Sequence, residues 1–146
     1  MDKIYPLAAL ADCASEIRAK DRMSFTPYKI VLAHGCFDLL HYGHIEHLRQ
    51  AKAMGDYLVV TVTADRFVNK GPGRPAFTQG QRAAHLAALE MVDYVAVVDG
   101  PTALPAIETL RPDIYCKGLD YEGREDGVFA QEKALVEKFG GRVAFT

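Results

Sequence analysis

Apolar and polar residues alternate along this chain in blocks, and the spacing within each block changes from a helical period to that of a buried strand. The first block places Leu10, Ala14 and Ile17 at helical spacing, with charged residues between them. Pro6 stands where this helix would begin, a position that proline favours. The pattern therefore predicts a short amphipathic helix over residues 6–20.

After a linker at residues 21–27, apolar runs rich in β-branched residues alternate with helical segments. The predicted strands cover residues 29–34, 57–63, 92–98, 113–117 and 142–145. The predicted helices cover residues 44–54, 78–90, 102–111 and 128–139. Strands that are apolar on both faces and separated by helices indicate a parallel sheet covered on both sides. We expect an α/β fold: a doubly wound, Rossmann-like five-stranded parallel sheet with helices on both faces, preceded by the N-terminal helix.

This pattern divides the chain into an N-terminal helix and linker, residues 1–27, and one domain over residues 28–146. A chain of 146 residues is long enough for one compact domain with a substantial core. Ligands of doubly wound sheets bind beyond the carboxyl ends of the strands, where the strand order reverses. We therefore look for chemistry in the loops after the first, second and fourth strands.

The loop after the first strand reads Gly-Cys-Phe-Asp-Leu-Leu-His-Tyr-Gly-His over residues 35–44 and leads directly into a helix. Gly35 lets the backbone approach a ligand, and Gly43 allows a tight turn into the helix. The free N–H groups at a helix N-terminus bind phosphate. His41 and His44 can donate to phosphate oxygens and stabilise charge that develops during transfer. Phosphoryl-type transfer needs such positioning and no protein nucleophile.

Two further loops carry cations. The loop over residues 65–77 is long and basic, with Lys70 and Arg74 among glycines, and loops of this length are often functional. Lys117 closes a buried strand, where a lysine is unusual unless it meets an anion. Both loops are expected to face a phosphate-rich ligand.

Composition adds limits on partners and compartment. The net charge of −2 gives no electrostatic reason to expect a nucleic acid or a membrane surface as partner. Cys13, Cys36 and Cys116 are an odd number at unrelated spacings, which fits a reducing compartment. The N-terminus has no signal-peptide pattern and no apolar run approaches bilayer length, so a cytoplasmic protein is expected.

The block at residues 35–44 resembles the signature of the cytidylyltransferase-like superfamily, whose core is His-x-Gly-His. Within it, the chain is most similar to the adenylyltransferase domain of the bifunctional heptose-phosphate kinase/adenylyltransferases, which also have a helix ahead of the first strand. The resemblance extends to Lys70-Gly71, Arg74-Pro75, Gln81-Arg82, Ala88-Leu89-Glu90, Val92-Asp93, Lys117-Gly118 and Asp120-Tyr121. The glycerol-phosphate and choline-phosphate cytidylyltransferases are more distant and usually have arginine at the position of Glu90.

The resemblance implies a nucleotidyltransferase that moves a nucleoside monophosphate from ATP or CTP to a heptose-type sugar 1-phosphate, with Mg²⁺ shielding the departing pyrophosphate. It implies that the catalytic residues are His41, His44 and Lys70. The nucleotide-binding residues would be Gly35, Cys36, Phe37, Asp38, Gly43, His44, Lys117, Gly118 and Asp120. The acceptor-binding residues would be Lys70, Arg74 and Arg82. For Asp38 a bracing role, and for Arg82 a structural role, stay open as alternatives.

Other functions stay open beside this one. A cytidylyltransferase would use CTP and a polyol phosphate, phosphonate or amino-alcohol phosphate. A catalytically incomplete nucleotide-binding module of a larger protein is an alternative of a different class. A zinc site would draw on His34, Cys36, His41, His44 and His47, although their spacing is not that of a tetrahedral site.

The superfamily normally has a Ser/Thr-rich motif that opens a helix after the last strand and holds the triphosphate. This sequence stops at Phe145-Thr146, where that motif would begin, so we expect the motif to be missing from these residues. The expected ligands are a nucleoside triphosphate and a small phosphorylated acceptor. A homodimer is left open, as is a sugar kinase fused to this chain or working with it.

Overall fold

A parallel sheet lies at the centre of the computed structural model, which describes residues 3–20, 25–124 and 127–146. Its strands are β1 Ile30–Gly35, β2 Tyr57–Thr63, β3 Tyr94–Val98, β4 Ile114–Lys117 and β5 Arg142–Phe145. The helices are α1 Leu10–Lys20, α2 Tyr42–Ala53, α3 Gln79–Ala87, α4 Leu104–Leu110 and α5 Gly127–Lys138. Short 3₁₀ turns cover Leu7–Ala9, Asp65–Phe67 and Leu119–Tyr121.

The strand order is β3-β2-β1-β4-β5, and every pair is parallel. The chain moves outward from β1 through β2 to β3, then crosses back to place β4 on the other side of β1. The order therefore reverses at β1, and the carboxyl ends of β1 and β4 border the crevice where such folds bind ligands. The predicted doubly wound fold is confirmed.

Residues of β1 alternate between two apolar cores, one on each face of the sheet. Val31 and Ala33 pack in the core that α2 and α3 cover. Ile30 and Leu32 pack in the opposite core, with residues of α1, α4 and α5. Because neighbouring side chains point to opposite faces, an apolar strand is required wherever both faces are covered.

Four predicted boundaries within the domain were wrong by two or three residues. Helix α4 begins at Leu104 and not at residue 102, because Ala103 is its N-cap. Helix α2 begins at Tyr42 and not at residue 44, because His41 caps it. Helix α3 ends at Ala87 and not at residue 90, and a turn follows it. Strand β3 begins at Tyr94 and not at residue 92; just before it, Asp93 bonds to Leu58 of β2 through both its backbone N–H and its side-chain carboxylate.

The N-terminal region departs from the expected single helix, since a 3₁₀ turn at Leu7–Ala9 precedes α1. Ahead of it, Ile4 bridges to Val95 in parallel, a pairing that the sequence did not predict. Helix α1 itself packs against α4 within the second core. Of the predicted linker, residues 21–24 lie outside the described residues. None of the helices described is long and apolar enough to cross a membrane.

Candidate active site

A cavity of about 1020 Å³ opens at the carboxyl ends of the strands, beside the point where the strand order reverses. Every residue predicted for the site lines this cavity except Arg82. The lining residues from the prediction are Gly35, Cys36, Phe37, Asp38, His41, Gly43, His44, Lys70, Arg74, Lys117, Gly118 and Asp120. Three loops that are far apart in sequence therefore meet at one cavity, as the strand order requires.

The two histidines of the signature form a stacked pair at the start of α2. Their ring centroids lie 3.9 Å apart with planes inclined by 24°. His41 Nδ1 accepts from the N–H of Gly43 at 3.0 Å, and His44 Nδ1 accepts from the N–H of His41 at 3.3 Å. An Nδ1 that accepts carries no proton, so the proton of each neutral ring is on Nε2. Each ring thus keeps one N–H donor for a ligand.

The protein environment keeps His44 neutral. Burial lowers the pKa of His44, and the nearby His41, His47 and Lys70 lower it further. A proton on Nδ1 would also break the capping bond from His41 and place charge beside a stacked ring. His44 therefore enters the site as a neutral hydrogen-bond donor.

Glycine is required at position 43 by this stacking. A Cβ on Gly43 would lie 2.8 Å from Cε1 of His41, closer than carbon atoms approach. Just before the pair, Phe37 and Leu39 have φ values of 49° and 59°, in the left-handed region that side chains disfavour. Phe37 is held by burial and by an edge-on contact with the His44 ring, at a centroid distance of 5.4 Å. Such strain is typical of loops that present functional groups.

The Asp38 carboxylate attaches the long loop after β2 to the signature loop. It accepts from the backbone N–H of Ala76 at 2.8 Å and of Phe77 at 3.1 Å, and it forms a salt bridge with Arg74. Burial raises the pKa of Asp38, but the bonds from Ala76, Arg74 and Phe77 outweigh it and lower the pKa to about 2. This geometry agrees with the bracing role for Asp38, since both oxygens of its carboxylate accept from protein donors.

The long loop brings two cations to the cavity in different states. Arg74 is engaged with Asp38, and its side chain is 29% exposed. Lys70 is exposed, forms no salt bridge within the described part of the chain, and lies near enough to His44 to lower its pKa. Lys70 is thus the cation of this loop that remains available to a phosphate.

Arg82 is fully buried at the base of the same loop and does not line the cavity. Its guanidinium donates to the carbonyl oxygens of Cys36 at 2.8 Å and Phe77 at 3.1 Å, and to the Asp65 carboxylate at 2.8 Å. These bonds join both ends of the long loop to the signature loop. The structure therefore gives Arg82 a bracing position outside the cavity lining, where all its bonds described here are to protein groups.

At the end of β4, Lys117 extends over aromatic rings. Its Nζ lies 4.1 Å from the ring centroid of Tyr121 and 5.6 Å from that of Tyr115. Burial lowers the pKa of Lys117, while Glu132 and Asp120 counteract this shift. Among the described residues no carboxylate lies within salt-bridge distance of the ammonium, although Glu132 and Asp120 interact with it electrostatically, so a ligand anion can still make direct contact with it.

Several residues that line the cavity were not assigned to the substrate site from the sequence. His47 lies one turn after His44 on α2, a spacing that could have indicated a shared face, and its Nδ1 is 2.7 Å from the Thr146 hydroxyl. His34 ends β1 and contacts Thr61 through Nδ1 at 2.8 Å. Glu132 comes from α5, and no local motif marked it. Only the packing of α5 brings it to the cavity.

The described residues give the zinc alternative no support. In the described part of the chain, no three His, Cys, Asp or Glu side chains form a group that could hold a metal ion. The histidines instead have other partners: His34 has Thr61, His47 has Thr146, and the stacked pair bonds to backbone N–H groups.

Comparison with known proteins finds bifunctional HldE proteins among the relatives of this chain. The chain is 46% identical over 143 residues to the bifunctional protein HldE of Geobacter metallireducens, covering 97% of this chain and 27% of that protein. It is 46% identical over 117 residues to HldE of Campylobacter fetus, covering 77% of this chain and 26% of that protein. The chain thus spans about a quarter of the length of these relatives.

Solved structures agree in fold. A lipopolysaccharide core biosynthesis protein from Thermoplasma volcanium superimposes with a TM-score of 0.66 at 30% identity, covering 81% of this chain and 93% of that one. A pantoate-beta-alanine ligase from Francisella tularensis gives a TM-score of 0.65 at 15% identity, which shows a shared fold alone. The cytidylyltransferase-like family matches residues 32–137, and with these relatives it shows that the chain belongs to that family of nucleotidyltransferases.

Proposed function

We propose that this chain transfers the adenylyl group of ATP to a sugar 1-phosphate of the heptose type and releases pyrophosphate. One observation carries the proposal: the stacked His41 and His44 lie at a helix N-terminus in a cavity that Lys70 and Lys117 also line. Donors and cations that converge on one open volume suit a triphosphate and a second phosphate together.

The choice of substrates rests on likeness. The signature block and the matching segments resemble the heptose-phosphate adenylyltransferases, and the HldE relatives are named bifunctional. Since the chain spans about a quarter of those relatives, we infer that a sugar kinase works with it or is fused to it. Three free cysteines, Cys13, Cys36 and Cys116, favour a reducing cytoplasm as its setting.

In the proposed reaction, an oxygen of the acceptor phosphate attacks the α-phosphorus of the triphosphate in line. The new P–O bond forms as the bond to the β-phosphate oxygen breaks, and the electron pair leaves with pyrophosphate. The Nε2–H groups of His41 and His44 donate to the phosphate oxygens on which charge accumulates. Lys117 and Lys70 supply positive charge from the β4 side and from the long loop.

Magnesium fits this site only as a partner of the nucleotide. Because no described group of side chains could hold a metal by itself, the ion would be bound mainly by phosphate oxygens and water. When bound it would screen the charge of the departing pyrophosphate. Asp120 and Glu132 are the carboxylates of the cavity besides the salt-bridged Asp38.

A pyrophosphate-release screen tests this proposal. ATP, CTP, GTP and UTP would each be combined with a panel of sugar 1-phosphates, polyol phosphates, phosphonates and amino-alcohol phosphates. Release that requires ATP and a sugar 1-phosphate is expected. Release that requires CTP and a polyol or amino-alcohol phosphate would establish the cytidylyltransferase alternative instead. Triphosphate binding without release on any acceptor would indicate an inactive binding module.

A further inference from the structure

A buried carboxylate lines the cavity and has no role in the transfer proposed above. Glu132 of α5 is only 5% exposed. Its Oε1 accepts from the hydroxyl of Tyr115 at 2.9 Å, and its Oε2 accepts from the backbone N–H of Ala103 at 3.0 Å. Burying a charge is costly unless something compensates for it, and here the two hydrogen bonds and the electrostatic interaction with Lys117 do so.

These two bonds leave part of the carboxylate's capacity unused. A carboxylate offers about four acceptor sites, two on each oxygen. Each Glu132 oxygen has one protein donor, and no salt bridge to Glu132 occurs within the described part of the chain. Because the side chain also lines the cavity, the remaining acceptor sites are available to a ligand.

The carboxylate is held in place from three elements. Tyr115 donates from β4, Ala103 donates from the residue before α4, and Glu132 itself belongs to α5. Burial and the charge of Glu132 raise the pKa of Tyr115 well above its usual range, so its hydroxyl stays a donor. An acceptor fixed this firmly loses little entropy when a ligand binds.

Charge decides which part of a ligand can lie there. A phosphate in direct contact with the carboxylate would be repelled, so we expect the ligand group that contacts Glu132 to be an uncharged donor, while the neighbouring Lys117 is the group for a phosphate. In the cavity lining, Glu132 accompanies Lys117 and Gly118, which we assign to the nucleotide. The uncharged donors of a nucleotide are its ribose hydroxyls and the amino group of its base.

We propose that the Glu132 carboxylate accepts hydrogen bonds from the ribose hydroxyls of the bound nucleotide. A pair of adjacent hydroxyls matches a group with a free acceptor site on each of two oxygens, whereas a base amine would use one. Acidic side chains bind ribose hydroxyls in this way in other doubly wound folds. The inference rests on the proposed function, because it assumes a nucleotide in this cavity.

Calorimetry without acceptor tests the inference on the wild-type chain first. The ligands are the α,β-methylene analogue of the triphosphate that the screen selects and its 2′,3′-dideoxy form. We expect the wild type to bind the ribose form about 10- to 100-fold more tightly, the effect of hydrogen bonds to a charged group. Equal affinity for the two forms would overturn the inference. No binding of either would refute the proposed function itself.

Variants then assign the discrimination to Glu132. In Glu132→Gln the ribose form should weaken to the level of the dideoxy form, while the dideoxy form should bind as it does to the wild type. Equal weakening of both forms would show a merely structural role and overturn the inference. Glu137→Gln, the same change on an exposed residue of α5, should leave both affinities unaltered. If Glu132→Gln fails to fold, Tyr115→Phe serves as the second variant. It removes the hydroxyl donor and keeps the carboxylate, so it should still bind the ribose form more tightly than the dideoxy form.

Discussion

At the scale of single residues, the signature histidines serve two roles with different ring atoms. Nδ1 of each ring accepts a backbone N–H and completes the cap of α2. Nε2 of each ring remains a donor toward the cavity. A substitution can therefore remove one role and keep the other, which allows structure and chemistry to be separated.

His44→Asn should fold normally and lose most activity. The amide oxygen of asparagine can replace Nδ1 as acceptor for the His41 N–H, but the Nε2–H donor is gone. Losing one donor to a developing charge typically lowers kcat by about 10²–10³. Pyrophosphate release and thermal unfolding would measure the two effects. Tyr42→Ala, an exposed neighbour outside the cavity lining, should keep near-normal kcat. Near-normal turnover by His44→Asn would contradict the catalytic assignment.

His34 should make the protein less stable in acid. Burial, with a smaller effect of Lys117, lowers its pKa from 6.5 to about 4. In this interval the unfolded chain binds a proton that the folded chain does not. Above pH 6.5 His34 is neutral in both states and does not reduce the free energy of unfolding. As the pH drops to 4, this free energy falls by up to about 3 kcal/mol.

Urea unfolding of wild type and His34→Gln at several pH values between 7 and 4 would measure this. Glutamine keeps a polar group near Thr61 but does not titrate, so the variant should lose less stability on acidification. The slope that remains belongs to other groups, including His44 and His47, whose pKa values are also lowered. Parallel pH profiles for the two proteins would rule out His34 as the source.

At the scale of elements, the long loop between β2 and α3 is fixed at its ends and exposed in its middle. Asp38 and Arg82 bind its last residues, and Arg82 also binds Asp65 at its beginning. Gly71 and Gly73 have positive φ values and open space around them, and Lys70 precedes them. This arrangement suits a segment that moves over a ligand while its ends stay in place.

Lys70→Ala should weaken binding of the phosphorylated acceptor more than binding of the nucleotide. The reason is that Lys70 is exposed on the middle of this loop and free of protein carboxylates among the described residues. We expect the acceptor KM to rise about tenfold, the loss of one charged hydrogen bond. Arg66→Ala removes a cation of the same loop that binds Asp99, and should leave the KM unchanged. An equal loss of nucleotide affinity, measured without acceptor, would assign Lys70 to the triphosphate.

Arg82→Ala should destabilise the fold strongly. The substitution leaves a void and removes the donors of the Cys36 and Phe77 carbonyls, so a loss of roughly 2–4 kcal/mol is expected. Arg49→Ala, which removes an exposed arginine paired with Glu46, should cost less than about 1 kcal/mol. Urea unfolding measures both. Similar losses for the two variants would show that the buried network contributes little.

At the scale of the whole molecule, one edge of the sheet is covered by the chain's own beginning. Tyr5 donates its N–H to the Val95 carbonyl, and the Val95 N–H donates to the Lys3 carbonyl, each at 2.8 Å. The ring of Tyr5 also contacts that of Tyr94, at a centroid distance of 5.4 Å. These contacts satisfy the outward backbone groups of Val95 on the edge strand β3, which would otherwise be open to another chain.

Removing residues 1–5 should therefore increase self-association and lower stability. Light scattering over a range of concentrations and thermal unfolding would record the two effects. Tyr5→Ala keeps the backbone pairing and loses only the ring contact, so it should be destabilised without associating. If the shortened protein stays as monodisperse as the full chain, the pairing does not protect the edge.

The sequence alone determined the fold class and half of the residues that line the cavity. Apolar runs separated by helical segments require a two-sided parallel sheet, and the strand order places the loops after β1, β2 and β4 together. The block at residues 35–44 is contiguous, so its spacing could be interpreted without knowledge of distant contacts. The succession of residues along the chain was sufficient to predict these features.

Only the tertiary structure decided which polar groups remain available to a ligand. Arg82 and Asp38 are residue types that bind ligands, yet both are occupied by protein groups from distant parts of the chain. Glu132 carried no motif, yet the packing of α5 on β4 buries it beside the cavity. Burial and hydrogen-bond partners depend on segments brought together by folding, and a residue's own neighbours in sequence do not specify them.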